Sequence, residues 1–257
     1  MSKLVFITGA SSGLGQALAW RYYQAGFTLA LVARRVAELQ AWVDAQGISA
    51  DRCRIYSADV AVSDSIVAAG QACLVDQGVP DVVIANAGIS IGMDSAVRGD
   101  LDVMTRTLAI NLTGVAATFY PFVAAMAARG DGRLVGIGSV AGIRGLPGHG
   151  AYCASKAGVI SYCESLRGEL RPTGVKVVTI CPGYIDTPLT QKNTYGMPFL
   201  MSPEAFSDKA FKTIEDGSSY QVIPWQMGVV AKLLRILPNS LFDKALSGRA
   251  RKARSTE

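Results

Sequence analysis

Short apolar stretches recur along the chain at residues 4–7, 28–32, 54–57, 82–85, 133–137 and 176–181. Most show little polar alternation, the pattern of strands buried on both faces of a parallel sheet. Between them, residues 15–25, 35–46, 63–77, 101–128 and 151–170 carry helical composition and spacing. Regular alternation of strand and helix predicts a parallel sheet covered by helices on both faces. Right-handed crossovers make such a sheet doubly wound, with ligand sites at the carboxyl ends of its strands. A seventh strand is expected at 219–223. The predicted organisation is one α/β domain of about seven strands over residues 1–223, including a loop and helix at 188–216. An apolar helix and a basic tail follow over 224–257.

Two groups of residues suggest chemistry. The first strand runs without spare residues into Thr8-Gly9-Ala10-Ser11-Ser12-Gly13-Leu14-Gly15, and a helix follows at once. Glycines let a phosphate approach the main chain, and the helix N-terminus offers it free N–H groups and a positive dipole end. Strand, glycine turn and helix in that order is the context of a dinucleotide site. The second group is Tyr152 and Lys156, four residues apart, with Ser139 thirteen residues upstream of the tyrosine. Four residues is about one helical turn, so phenol and ammonium project from one face. A phenol titrates near 10, and a fixed cation beside it is expected to lower that value. With the Ser139 hydroxyl holding a carbonyl oxygen, the three residues can pass a proton to or from a ketone or alcohol.

The glycine spacing, Gly-x-x-x-Gly-x-Gly after a threonine, resembles that of the short-chain dehydrogenase/reductase family. The resemblance runs from about residue 4 to 190 through Asp59-Val60, Asn86-Ala87-Gly88, Asn111, Ser139, Tyr152, Lys156, Pro182-Gly183 and Thr187. It implies a Rossmann-type fold and hydride transfer between a nicotinamide and a carbonyl carbon. It further implies that Tyr152 donates the proton and Ser139 positions the oxygen. Lys156 binds the nicotinamide ribose, and Asn111 breaks a helix and supports a water leading from Lys156 to solvent. By the same resemblance, Gly9, Ser11, Ser12, Gly13, Leu14 and Gly15 form the phosphate turn, and Asp59 and Val60 meet the adenine. Asn86, Ala87 and Gly88 lie along the ribose, while Pro182, Gly183, Ile185 and Thr187 face the nicotinamide. A homodimer or homotetramer, paired through the helices at 101–128 and 151–170, is implied as well.

The second strand bears on which cofactor. An NAD site normally supplies an acid about twenty residues past the glycines. Here Arg34 and Arg35 stand instead, and guanidinium pairs with a 2′-phosphate in fork geometry. NADP(H) is therefore expected over NAD, with Arg34, nearer the strand end, as the main phosphate contact. The expected activity is an NADP(H)-dependent ketone reductase. A related epimerase or dehydratase and a non-catalytic NADP-sensing protein are the competing readings. The complete Ser139, Tyr152 and Lys156 set favours redox.

Composition narrows the partners. Half of the 257 residues are hydrophobic and 18% charged, which places the chain among folded globular proteins. No uninterrupted apolar run reaches the roughly 18 residues of a membrane span, and the N-terminus lacks a signal-peptide layout. Five scattered cysteines and one histidine, His149, predict reduced thiols in the cytoplasm and no metal site. The stretch 225–237 has only Lys232 and Arg235 charged. Residues 243–257 hold five Lys/Arg against Asp243 and Glu257, out of a whole-chain charge of +5. An apolar helix with a basic tail fits peripheral contact with the inner face of an anionic membrane; it equally fits a helix packed on the pocket or on a second subunit. No basic–aromatic stripe points to nucleic acid. The substrate is expected to be a small carbonyl or alcohol, preferably apolar. Met197, Phe199, Leu200 and Met201 are candidates for a lid or for core, and Gly142, Ile143, Leu146 and His149 for the pocket border.

Overall fold

A computed structural model describes residues 2–191, 193, 196–248 and 252–254. Seven parallel strands form one sheet in the order β3-β2-β1-β4-β5-β6-β7. They are β1 (Leu4–Thr8), β2 (Thr28–Ala33), β3 (Cys53–Ser57), β4 (Val82–Ala85), β5 (Arg133–Ile137), β6 (Lys176–Pro182) and β7 (Tyr220–Ile223). The chain winds outward from β1 to β3, then returns to place β4 on the other side of β1. That reversal opens a crevice beyond the carboxyl ends of β1 and β4.

Side chains alternate across each strand. Val5 and Ile7 therefore pack on one face with Leu29, Leu31, Val82 and Ile84, while Phe6, Ala30, Val32, Val83 and Ala85 pack on the other. Both faces are covered, which is why the strands read as nearly continuous apolar runs. The first face is covered by α1 (Leu14–Gln24), α2 (Val36–Ala45) and α7 (Pro203–Glu215), the second by α3 (Ser63–Asp76), α5 (Gly114–Arg129) and α6 (Gly150–Leu170). The α7 start was legible in the sequence: Ser202 Oγ accepts from Ala205 N at 3.2 Å, with Pro203 in the first turn.

The helix expected over 101–128 is interrupted. α4 (Asp100–Leu108) gives way to a π turn at Ala109–Thr113, and α5 continues beyond it. The whole stretch Asp100–Arg129 has a mean hydropathy of 1.5 over 18 residues, enough by length and composition to cross a membrane. Its apolar residues Val115, Phe119, Phe122 and Met126 are instead buried against the sheet.

Beyond β7, α8 (Trp225–Ile236) and α9 (Asn239–Leu246) meet at a corner containing Pro238. Arg144 ties that corner: its guanidinium donates to the carbonyls of Leu234, Arg235 and Leu237 and to Asn239 Oδ1, and stacks 3.8 Å from the Phe242 ring. α8 buries Met227 and Ala231 but leaves Trp225, Val229, Leu233 and Ile236 exposed.

Candidate active site

Every expected catalytic group comes from the carboxyl end of a strand or the helix after it. Ser139 follows β5 and begins a short 3₁₀ turn, Val140–Gly142, its Oγ accepting from Ala141 N at 3.2 Å. Tyr152 and Lys156 lie on the first two turns of α6. The Ser139 hydroxyl lies near enough to the Tyr152 phenol to favour its ionised form. Lys156 is buried, donates from Nζ to the Ile137 carbonyl at 2.7 Å, and stands 5.8 Å from the Tyr152 ring centre. Lys156 is thus held between the end of β5 and the Tyr152 ring.

The electrostatics differ from expectation. Burial pushes the Tyr152 phenol up to about 12, with the Ser139 hydroxyl opposing the rise. Burial also draws the Lys156 ammonium down to about 8. The ammonium was expected to hold the phenol low. Its hydrogen bond goes to the Ile137 carbonyl rather than to the phenol, so desolvation outweighs it. A phenol that keeps its proton at neutral pH is a donor.

Asn111 sits fully buried in the π turn. Its Oδ1 accepts from Ile89 N at 2.9 Å, and its Nδ2 donates to Ile89 O at 2.9 Å and Ser155 Oγ at 3.0 Å. The side chain clasps the segment after β4 and joins it to α6. A π turn often marks a functional position in a helix.

The glycine turn leads from β1 to α1. A side chain on Gly9, whose φ is +69°, would meet Ala87 Cα at 2.8 Å, and one on Gly15 would strike the Gly9 carbonyl. Main chain therefore packs on main chain, and Ser11, Ser12, Gly13 and Leu14 line the cleft at a helix N-terminus whose first N–H groups have no partner within the helix. Thr8 Oγ1 accepts from Asn86 N at 3.1 Å and Ala87 N at 3.2 Å, and Asn86 Nδ2 donates to Thr8 O at 3.0 Å, which fixes the 86–88 segment beside the turn. Asp59 Oδ1 accepts from Ala61 N at 2.9 Å, and its other oxygen pairs with Arg34 at 3.4 Å. Arg35 reaches Ser11 Oγ at 3.3 Å and Ser12 Oγ at 3.4 Å. Sequence reasoning put Arg34 first. The structure sets Arg35 over the two serines and Arg34 on Asp59, because Arg35 turns back from the start of α2.

One cleft of about 710 Å³ unites these groups. Gly9, Ser11–Leu14, Arg34, Asp59, Val60, Asn86–Gly88, Ser139, Tyr152, Lys156, Pro182, Gly183, Ile185 and Thr187 all line it. Gly15 and Asn111 stand behind its wall. A scan against family models matches the chain over residues 3–197 to the short chain dehydrogenase model.

The chain belongs to the short-chain dehydrogenase family.

Relatives agree. An uncharacterized oxidoreductase of Myxococcus xanthus is 38% identical over 246 residues, 95% of this chain and 96% of that protein. A dehydrogenase/reductase SDR family protein 7-like of Anopheles gambiae is 36% identical over 73% of this chain and 61% of that protein. Among solved structures, a short-chain dehydrogenase from Streptomyces avermitilis aligns with a TM-score of 0.76 at 23% identity, over 97% of this chain and 100% of that one. An alcohol dehydrogenase from the archaeon Thermococcus sibiricus, complexed with 5-hydroxy-NADP, aligns with a TM-score of 0.76 at 24% identity, over 87% and 96%. These two share the fold.

The substrate half of this dehydrogenase's cleft departs from expectation. Leu146 and His149 line it, whereas Gly142 and Ile143 do not. Ile143 packs beside Met227 under α8. Met197, Phe199, Leu200 and Met201 are also absent from the lining: Met201 bridges to Ile185 and packs on the core, and Phe199 and Leu200 point to solvent. Their place is taken by Ile89–Ile91, Leu189, Asn193 and, from the far end of the chain, Lys252–Arg254. No local pattern announces the last group, because a contact between residues 92 and 254 leaves no periodicity in either segment. The remaining tail residues, 249–251 and 255–257, lie outside the described residues.

Proposed function

We propose that the protein is an NADP(H)-dependent carbonyl reductase with Tyr152 as the general acid. The observation that carries the proposal is the shared cleft: the Ser139–Tyr152–Lys156 frame and the glycine turn line one cavity. The cleft suits a dinucleotide, since glycines bring main chain and a helix N-terminus to its floor. Gly9 and Ser11–Leu14 would hold the pyrophosphate, Asp59 and Val60 the adenine, Asn86–Gly88 and Lys156 the riboses, and Ile185 and Thr187 the nicotinamide. When bound, the dinucleotide supplies the hydride.

This chain's residues do the rest. The Ser139 hydroxyl fixes the substrate oxygen next to the phenol, and Tyr152 gives that oxygen its proton. Lys156, poised at about 8, exchanges charge readily as the phenol refills. Asn111 holds the 89 segment and α6 in register around it. The preference for the 2′-phosphate is supported by the Arg35–Ser11–Ser12 cluster, with Arg34 beside it on Asp59. The complete set of three catalytic side chains weighs against an epimerase, a dehydratase or a sensing protein. Five free thiols, four of them buried, support a reducing compartment such as the cytoplasm.

The test is oxidation of NADPH and NADH by a panel of aliphatic, aromatic and cyclic ketones. NADPH oxidation with at least one ketone, faster than with NADH, supports the proposal. Tight NADPH binding without turnover on any ketone or secondary alcohol would shift the reading to a sensing protein.

A further inference from the structure

The C-terminal segment Lys252–Arg254 crosses the mouth of the cleft, and its anchors reach both sides. On one side, Arg254 makes a bidentate pair with Asp100 at the start of α4, at 2.7 and 2.8 Å. Gly92 N donates to Ala253 O at 3.1 Å, and Gly92 and Arg254 form a parallel β-bridge. On the other side, Lys252 Nζ donates to Leu189 O at 3.1 Å and Asn193 Oδ1 at 2.8 Å. The segment thus joins the residues after β4 to the residues after β6, and lines the same cavity as Tyr152 and His149.

Two features show that the docking is built into the chain. Asp100 is only 6% exposed, and a carboxylate so buried needs a charged partner. Its partners are Asp94 N, at 2.7 Å, and Arg254. Gly92 is the second feature. A side chain there would strike the Lys252 carbonyl and stand 2.7 Å from the Ala253 carbonyl, so only glycine lets the two main chains approach.

We propose that residues 252–254 form a wall of the substrate pocket, latched by the Arg254–Asp100 pair, and that this wall sets the size of carbonyl compound admitted. Arg254 is a specificity-determining residue that acts by holding the wall rather than by touching the reacting atoms. The proposal rests on the reading of the cleft as a carbonyl reductase site.

The test compares the full chain with Arg254→Ala and Arg254→Lys, using a ladder of methyl ketones from butanone to long-chain and bicyclic members. Arg254→Ala strands the Asp100 carboxylate, so the double variant Asp100→Asn/Arg254→Ala, which removes the latch without leaving a buried charge, is measured beside it and should show the same shift. In Arg254→Ala the ratio of kcat/KM for bulky over small ketones should rise by about tenfold, roughly the discrimination one or two methylenes supply. Arg254→Lys, which keeps the charge but not the fork, should fall between. An unchanged ratio overturns the proposal. Hydrogen exchange gives a reading independent of turnover: in Arg254→Ala the Gly92 amide should exchange faster than in the wild type. Equal exchange would show that the latch does not hold the wall. If the wild type reduces none of the ladder while exchange still responds, the assigned reaction fails and the latch stands.

Discussion

In the proposed mechanism the Tyr152 phenol carries the chemistry, and its environment sets a direction. A group raised to about 12 keeps its proton across the neutral range, so the donor form needed for reduction is present at every pH below that value. Alcohol oxidation needs the deprotonated form, whose fraction grows about tenfold per pH unit while pH stays below the titration point. Reduction should therefore hold below the Lys156 value of about 8 and fall above it, where the phenol loses the cation that refills it, and oxidation should climb without a plateau, as initial rates at saturating substrate will show. A plateau of oxidation near neutral pH would mean that Lys156 does hold the phenol low. At the other end of the cleft, Arg35→Ala should weaken NADPH relative to NADH more than Arg34→Ala does. A charge-assisted contact contributes about 1.5–3 kcal/mol, or roughly ten- to hundredfold in relative kcat/KM. A larger effect of Arg34→Ala would make Arg34 the main phosphate contact, as the sequence leads one to expect. That choice could not be read from spacing, since adjacent arginines at a strand end look alike until α2 turns one of them back over Ser11 and Ser12.

Elements were more legible than the turns between them. The five inner strands fall where short apolar runs end at glycine or polar residues, because a strand buried on both faces admits little else; the edge strands β3 and β7 carry exposed Arg54, Ser57 and Tyr220. Composition alone read 101–128 as one helix, because Ala109–Thr113 keeps helical composition while its hydrogen bonding shifts by one residue; the family resemblance made Asn111 its breaking point. The signal for the interruption was Asn111 itself, a buried amide in an apolar stretch. Its three side-chain bonds leave no simple replacement. Asn111→Leu removes the partner of the part-buried Ile89 N and Ile89 O and of the buried Ser155 Oγ, and an orphaned buried group costs about 1–3 kcal/mol. The variant should unfold at lower denaturant, and its kcat should fall further than its affinity for NADPH. An unaltered kcat would reduce Asn111 to a structural residue.

At the scale of the molecule, the first 190 or so residues announced themselves through ordered motifs, α7 and β7 through a cap and a strand pattern, and the stretch beyond β7 did not. The apolar stretch 225–237 was read as a membrane contact or as packing. It packs on β7 with one face and keeps Trp225, Val229, Leu233 and Ile236 outward on the other. Residues 252–254 fold back over the cleft, so they are not part of a free basic extension. The exposed stripe is expected to meet a second copy of the chain, as oligomers are usual in the family. Light scattering should give a dimer or tetramer, and Leu233→Asp should lower its mass or raise its dissociation constant. A monomer that floats with anionic vesicles, and loses flotation in the same variant, would favour the membrane instead.

The central claim is that one hydroxyl in the cleft delivers the proton. Single-turnover reduction by Tyr152→Phe, with NADPH binding followed separately by fluorescence, tests it most directly. The account predicts that binding stays within a few fold of the wild type while the chemical step slows by about 10²–10⁴, the usual contribution of a positioned acid. A variant that reduces its ketone at close to the wild-type rate would contradict the account.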